Sequence, residues 1–212
     1  LILMTDHLAA LPEAIRQARW TLRIVRQNIA WAIGYNALAL PIAATGLLTP
    51  WLAALGMSLS SLLVVGNALR LRGLCLEFKA MFIINDDPML ALDTTADGVH
   101  LGGHSQATEV VRSRVGRNML IGVSTHNSSQ IQTACEQGAD FVTFGPVYAT
   151  PSKAVYGAPQ GLPALAEACN NSTLPVFALG GITSARAAAV RTAGAHGIAM
   201  ISAIIASSSP KS

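Results

Sequence analysis

The longest uncharged stretch of this chain constrains its fold more than any other feature. Residues 27–69 contain no Asp, Glu, Lys or Arg. A helix needs roughly 20 apolar residues to cross a bilayer, and Thr49-Pro50 supplies a turn between the apolar runs 28–48 and 51–69. Helices suit lipid because they satisfy their own backbone hydrogen bonds. The stretch predicts an α-helical membrane hairpin that contacts the membrane over about residues 28–69. A buried helical pair is the alternative, but the remaining chain is too small to surround it.

The charges are divided unevenly around this hairpin. Up to Arg72, six arginines stand against Asp6 and Glu13, a net charge of +4, whereas the remainder has eight basic and nine acidic residues, a net charge of −1. Arginines lie at both outer ends of the hairpin and none at its tip, so the positive-inside rule predicts that both ends are cytoplasmic. They flank an apolar block and form no stripe with interleaved aromatic residues, which argues against nucleic-acid binding.

Polar residues interrupt both predicted spans, namely Tyr35 and Asn36 in the first and Met57, Ser60 and Ser61 in the second. Thioether sulfur favours Cu⁺, although methionine and small residues also serve ordinary helix packing. The motifs Val25-Arg-Gln-Asn28, Met57-Ser-Leu-Ser-Ser61 and Asn67-Ala-Leu-Arg70 resemble the carboxyl end of copper-transporting P-type ATPases. That resemblance covers residues 1–72 and implies that Tyr35, Asn36, Met57 and Ser61 line a path for Cu⁺ as the transported ion.

The segment that resembles an ATPase lacks the parts that power transport, because the chain has no phosphorylated Asp in a D-K-T-G context and no nucleotide-binding domain. Its first six residues also fit the opening strand of a barrel, since they form an apolar run that ends in Thr5-Asp6. The contiguous match on either side of His7 assigns them to the ATPase segment.

The rest of the chain alternates short apolar runs with amphipathic stretches. The runs predict six strands, and the stretches between them predict helices at residues 106–115, 128–137, 162–169 and 184–193. Such alternation indicates parallel βα units. Because polar and glycine residues cluster where the strands end, as they do at the catalytic face of barrels, we expect a partial (β/α)8 TIM barrel of about six units. The strands are expected at residues 81–85, 98–101, 120–124, 141–144, 176–180 and 197–201.

Several residues at these strand ends suit phosphate chemistry. Gly180-Gly181-Ile182-Thr183 follows a strand and opens a helix, so its N–H groups can bind a phosphate; an ordinary tight turn is the alternative. Residues 150–153, Thr-Pro-Ser-Lys, offer hydroxyls and an ammonium to a diphosphate, or form a solvated loop. Asp86 could bind Mg²⁺ through oxygen. His126 suits acid–base work near neutral pH, although a histidine at a strand end is as often structural.

Taken in order, these motifs resemble the thiamine phosphate synthase and TenI-like family over about residues 74–210. The match includes Phe82-Ile-Ile-Asn-Asp86, Ile121-Gly-Val-Ser-Thr-His126 and Met200-Ile-Ser-Ala-Ile204. The synthases couple hydroxymethylpyrimidine diphosphate to a thiazole phosphate, with loss of diphosphate and with help from Mg²⁺. The resemblance implies that Asp86 binds Mg²⁺ and that the other site residues bind the substrates, with Asn85, Ser124 and Lys153 at the diphosphate, Thr150 and Ser152 at the thiazole, and Gly180, Gly181, Ile201 and Ser202 at the thiazole phosphate.

Two departures qualify that resemblance. The synthases usually read Gln-Glu-Asp after Leu101-Gly102, and this Asp is a second Mg²⁺ ligand, whereas the present chain reads Gly103-His104-Ser105. Serine there is more typical of TenI-like thiazole tautomerases, which need no metal and rely on a histidine at the position of His126. The first two strands of the family also have no counterpart, because the ATPase segment occupies their place.

We therefore expect two units, a membrane hairpin over residues 1–72 and an incomplete barrel over residues 73–212. The barrel unit is expected to be cytoplasmic, to retain a thiazole-phosphate pocket and to have weak or no synthase activity, since six strands cannot close an eight-stranded barrel. A tautomerase, the tail of a copper exporter and a non-functional fusion are the alternatives.

Overall fold

The computed structural model describes residues 50–150 and 158–200, together with residues 2, 3, 27, 30, 33, 34, 37, 41 and 42. Their strands form one seven-stranded sheet in the order β1-β7-β6-β5-β4-β3-β2. The strands are β1 (Ile2–Leu3), β2 (Ile83–Asn85), β3 (Gly98–Leu101), β4 (Leu120–Thr125), β5 (Phe141–Phe144), β6 (Val176–Leu179) and β7 (Gly197–Ala199). The helices are α1 (Pro50–Glu77), α2 (Pro88–Asp93), α3 (Thr108–Val115), α4 (Ser128–Glu136), α5 (Gly161–Asn171) and α6 (Ser184–Thr192).

Strands β2 to β7 all run parallel and pair in chain order, and a helix follows each strand from β2 to β6. This curled sheet with alternating helices confirms the predicted partial TIM barrel. Two predicted strands, at residues 98–101 and 141–144, have the predicted ends. Sequence reasoning missed α2, although its start is marked by Asp87, whose carboxylate accepts from the Leu90 N–H at 2.9 Å, and by Pro88 at the first helical position.

Strand β1 pairs with β7 in the antiparallel direction, with Ile2 opposite Ala199 and Leu3 opposite Ile198. An opening barrel strand would run parallel to its neighbour. This pairing therefore does not support the alternative in which residues 1–6 form the first barrel strand. It places the beginning of the chain at the edge of the sheet beside β7.

Helix α1 crosses the predicted boundary at Arg72 without a break. Its last turns pack on the barrel portion, because Ala68 is buried among Phe82 and Ile84 and the Arg72 guanidinium donates to the Thr94 carbonyl at 2.8 Å. Its earlier turns are exposed, including Trp51, Leu55 and Leu62, each at least 60% accessible. Residues Ala54–Glu77 are long and apolar enough to cross a membrane. The predicted division at residue 72 stays a prediction, as does most of the first span, which lies outside the described residues.

The two faces of the sheet follow the period-two alternation of strand side chains. Val99, Leu101 and Ile121 are almost fully buried and pack with the helix side chain Val111. The alternate positions His100, Gly122 and Ser124 therefore face the concave side of the curled sheet. A second core cluster lies farther along the sheet and contains, among others, Val142, Phe144, Leu165, Ala178 and Val190.

Arg112 ties the loops at the amino ends of the strands together. Its guanidinium donates to the carbonyl oxygens of Gly116, Met119 and Gly138 and pairs with the Asp140 carboxylate. Asp140 also accepts from the Ile121 N–H at 2.7 Å. The Asp140 carboxylate therefore has a structural role at the amino-terminal edge of the sheet, opposite the carboxyl ends of the strands.

Candidate functional site

The carboxyl ends of the parallel strands meet at one edge of the concave face, and most described candidates lie there. Asn85 ends β2 and is exposed, and Asp86 follows it. Asp86 has φ +66°, an uncommon left-handed conformation for a residue with a side chain. Its N–H donates to the His100 carbonyl at 2.9 Å. This hydrogen bond holds the start of the loop against β3 while the side chain remains exposed.

The Asp86 carboxylate is held by the loop that follows β3. Ser105 Oγ donates to Asp86 Oδ1, and Ser105 Oγ in turn accepts from the Gly102 N–H at 2.6 Å. Asp87 serves as the helix cap, so Asp86 is the carboxylate that remains for a ligand at this corner. Among the residues described, no group of three His, Cys, Asp or Glu side chains could hold a metal. A single carboxylate with substrate phosphates nevertheless matches the usual Mg²⁺ site, so the oxygen donors of Asn85 and Asp86 fit this ion.

Ser124 lies on the concave face near the end of β4. Its Oγ is 2.9 Å from His100 Nε2 and accepts a longer hydrogen bond, at 3.5 Å, from the buried Thr143 hydroxyl. The register of the strands explains these contacts. Ser124 lies opposite Thr143 on the neighbouring strand, and His100 lies opposite Gly122, which is two residues before Ser124. Sequence reasoning missed both partners, although His100 lies inside the strand predicted at residues 98–101.

His100 begins a row of aromatic rings across the concave face. It stacks on Phe141 at 6.0 Å between centroids, Phe141 meets Phe177 edge-on at 5.5 Å, and Phe177 meets His196 at 5.3 Å. Burial lowers the pKa of His100 to about 4, so its ring is neutral at pH 7. The row needs a glycine at residue 122, since a Cβ there would lie 2.2 Å from Phe141 Cζ and 2.6 Å from His100 Nδ1.

His126 follows β4 and is exposed at the same edge of the sheet. Its Nδ1 contacts the Gly145 carbonyl oxygen, and its backbone N–H donates to Gln130 Oε1 at 2.7 Å. Because a carbonyl oxygen only accepts, Nδ1 carries the proton in this contact. In the neutral ring Nε2 then holds the lone pair, as acid–base work requires.

The loop after β6 has no room for side chains. Gly180 and Gly181 have φ +99° and +62°, and a Cβ on Gly181 would lie 2.7 Å from the Ala149 carbonyl oxygen. Thr183 is the N-cap residue of α6, but its side chain makes no capping hydrogen bond. The Thr183 hydroxyl therefore does not compete with an anion for the N–H groups at the start of this helix. The structure also brings a cation to this loop, which sequence reasoning missed. Arg186 donates to the Gly181 carbonyl at 2.7 Å, and its guanidinium lies 4.4 Å from the centre of the Tyr148 ring.

For the remaining candidates the structure shows only a position along the chain, or they fall outside the described residues. Thr150 is half-buried within the loop after β5. Ser61 is exposed on α1, which also contains Met57. The predicted roles of these residues stay predictions. The candidates outside the described residues are Tyr35, Asn36, Ser152, Lys153, Ile201 and Ser202.

Known proteins resemble the barrel portion of this chain. The family model described as thiamine monophosphate synthase matches residues 58–204. A thiamine-phosphate synthase from Synechococcus sp. (strain WH7803) is 48% identical over 146 residues, which cover 69% of this chain and 41% of that protein. The Bacillus velezensis thiamine-phosphate synthase is 43% identical over 145 residues, covering 68% of this chain and 64% of that protein.

A solved structure has a similar fold. The thiamine phosphate pyrophosphorylase from Pyrococcus furiosus superposes with a TM-score of 0.63 at 32% identity, and the match covers 68% of each chain. The chain spans about two thirds or less of the length of the curated relatives it matches. The family match begins inside α1, so the ATPase resemblance of the preceding residues stays a prediction. From residue 58 to residue 204, the chain belongs to the thiamine monophosphate synthase family.

Proposed function

We propose that the barrel portion binds a pyrimidine diphosphate and a thiazole phosphate, and that it joins the two through a C–N bond with release of diphosphate. The observation that carries this proposal is the position of Asp86, Ser124 and Gly181. All three lie at the carboxyl ends of parallel strands of one curled sheet, where barrel enzymes do their chemistry. The family membership of the chain and the names of its relatives support this class of substrate.

In this proposal each group of the site has a distinct task. The Ser124 hydroxyl donates to the diphosphate, and the N–H groups of the Gly180-Gly181 loop bind the thiazole phosphate. The Arg186 guanidinium adds positive charge beside that loop. Asn85 and Asp86 would hold Mg²⁺, which would neutralise charge on the diphosphate as it leaves. Lys153 would bind the diphosphate and Ser152 would bind the thiazole, both from the segment that connects β5 to α5. Turnover is expected to be weak, because in the described part of the chain β2 pairs with β3 alone.

Titration of the purified chain tests this function. We expect isothermal titration to detect thiazole phosphate, and to detect inorganic diphosphate only with Mg²⁺. Asp86→Asn should weaken the Mg²⁺-dependent binding of diphosphate by about tenfold or more, because the ion loses its charged ligand. Asp93→Asn is the matched control, since Asp93 is exposed at the end of α2, and its binding should be unchanged. Failure of the unmodified chain to bind diphosphate in the presence of Mg²⁺ would refute the proposal.

A thiazole tautomerase is the second candidate, and the orientation of His126 favours it. The contact of Nδ1 with the Gly145 carbonyl leaves Nε2 as a base at the rim of the site. Ser105 bonds to Asp86 where a synthase would have a second carboxylate, which also suits chemistry without a metal. Isomerisation of a thiazole carboxylate phosphate in the presence of EDTA, lost in His126→Asn, would favour this activity over the synthase.

We also propose that α1 attaches the barrel portion to a membrane, with the barrel on the cytoplasmic side. The exposed turns of α1 carry apolar side chains that the described residues do not cover, among them Trp51, Leu55, Leu59, Leu62 and Leu63. Arg70 and Arg72 follow this surface, as expected where a span leaves the bilayer on its cytoplasmic side. Lipid is therefore the occupant that suits the exposed turns.

Flotation with phosphatidylcholine vesicles tests this attachment. The unmodified chain should float with the vesicles, and Leu62→Arg should reduce flotation, because a charge within the bilayer costs about 2.5–3.5 kcal/mol. Leu76→Arg is the matched control, since Leu76 is equally exposed on α1 but lies beyond Arg72. An unmodified chain that stays entirely in the soluble fraction would contradict the proposal.

A further inference from the structure

The hydrogen bonds around Ser124 determine which way its hydroxyl points. Its Oγ lies 2.9 Å from His100 Nε2 and 3.5 Å from the Thr143 hydroxyl, which donates to it. A serine hydroxyl has two acceptor lone pairs and one proton to donate. Whether Ser124 can donate to a ligand therefore depends on whether His100 donates or accepts the hydrogen bond between them.

The other ring nitrogen of His100 decides this question. Nδ1 is buried and has no hydrogen-bond partner among the described residues. Buried N–H groups without an acceptor are rarer than acceptors that lack a donor, so Nδ1 is the bare nitrogen of the neutral ring. The proton then lies on Nε2, which donates to Ser124 Oγ. Both lone pairs of Ser124 are occupied by His100 and Thr143, and its own proton is left to point elsewhere.

We propose that His100 and Thr143 are positioning residues. By donating to Ser124 Oγ, they leave the Ser124 hydroxyl proton available to donate to the diphosphate. This inference rests on the proposed function, because it takes the diphosphate to be the acceptor. The open carboxyl end of the strands is the direction in which an anion can meet that proton. In the opposite tautomer, with the proton on Nδ1, the Ser124 hydroxyl would donate to His100 Nε2. The serine would then have only lone pairs to present to the anion, which an anion does not bind.

The packing of the ring supports a fixed arrangement. His100 stacks on Phe141, and a Cβ at Gly122 would lie too close to both rings, so any larger residue there would displace them. Thr143 is 4% exposed and is itself located by the sheet, since its carbonyl accepts from the Thr125 hydroxyl at 3.0 Å. The two donors to Ser124 therefore belong to the rigid concave face and not to a mobile loop.

Titration of the full chain with inorganic diphosphate and Mg²⁺ tests the inference. Ser124→Ala should weaken binding about tenfold, as expected for a hydrogen bond to a charged group. His100→Leu should weaken it about threefold to tenfold, and His100→Gln should restore it, because the Gln amide can donate in place of Nε2. His100→Leu should have no further effect in the Ser124→Ala background. His196→Leu is the matched control, since His196 lies at the far end of the aromatic row.

The outcomes separate this inference from the proposed function. If the unmodified chain binds diphosphate and His100→Leu binds equally well, or if the two losses simply add, the inference is wrong while the function stands. If the unmodified chain does not bind diphosphate, the proposed function fails. In that case nitrogen-15 NMR of the His100 ring still decides the tautomer on which the inference depends. A proton found on Nε2 supports the donor arrangement, and a proton found on Nδ1 overturns it.

Discussion

Gly181→Asp is expected to abolish the binding of thiazole phosphate by this chain. Gly181 has φ +62°, and its Cβ would lie within 3.0 Å of three atoms of Tyr148 and Ala149. A carboxylate there would also face the bound phosphate, and a close pair of like charges costs several kcal/mol. We expect affinity to fall by about a hundredfold or more, since each tenfold step corresponds to about 1.4 kcal/mol. Isothermal titration with thiazole phosphate measures the change.

Gly116→Asp provides the control for this substitution. Gly116 also has a positive φ, +74°, but a Cβ there would meet no atom within 4 Å. It lies just before β4, at the opposite end of the strands from the phosphate loop. Its variant should carry a similar backbone penalty and bind thiazole phosphate normally. Equal affinity of the Gly181→Asp variant and the unmodified chain would show that the loop after β6 is not the phosphate site.

Phe177→Ala is expected to cause the largest loss of stability among single substitutions in the aromatic row. Phe177 is 1% exposed and lies between Phe141 and His196. Its removal would leave a cavity at the centre of the concave face, and such truncations cost about 3–5 kcal/mol. Urea denaturation followed by circular dichroism measures the free energy of unfolding.

The same substitution at an exposed phenylalanine separates packing from composition. Phe78 follows α1 and is 41% exposed, so Phe78→Ala should lower the free energy of unfolding by under about 1 kcal/mol. Similar losses for both variants would mean that the concave face is not a packed layer. A lower urea midpoint with an unchanged slope in Phe177→Ala would place the effect in the folded state.

Much of the barrel portion was predictable because its signals are local. The alternation of apolar runs with amphipathic stretches predicted six parallel strands, and the two-glycine motif was expected between a strand and a helix, where it lies between β6 and α6. Asp86 and Ser124 were expected at strand ends, and they lie there. Each of these features depends on residues close to one another in the chain.

The partners of the candidate residues were not predictable in the same way. His100 meets Ser124, and Ser105 meets Asp86, across 24 and 19 residues of sequence. These contacts depend on strand register, and a shift of one residue would turn every side chain to the other face. Arg186 was missed for a similar reason, because its guanidinium reaches the Tyr148 ring only where the loops after β5 and β6 lie side by side.

The sequence by itself determined the six parallel strands, the helices that follow β3 to β6 and the family to which residues 58–204 belong, because these follow from the periodicity and spacing of residues along the chain. Only the tertiary structure decided that α1 continues unbroken through Arg72 and packs its last turns on the barrel core. It alone also paired Ser124 with His100 and Thr143. Register and packing bring these groups together from separate strands, and no local pattern encodes the hydrogen bonds that result.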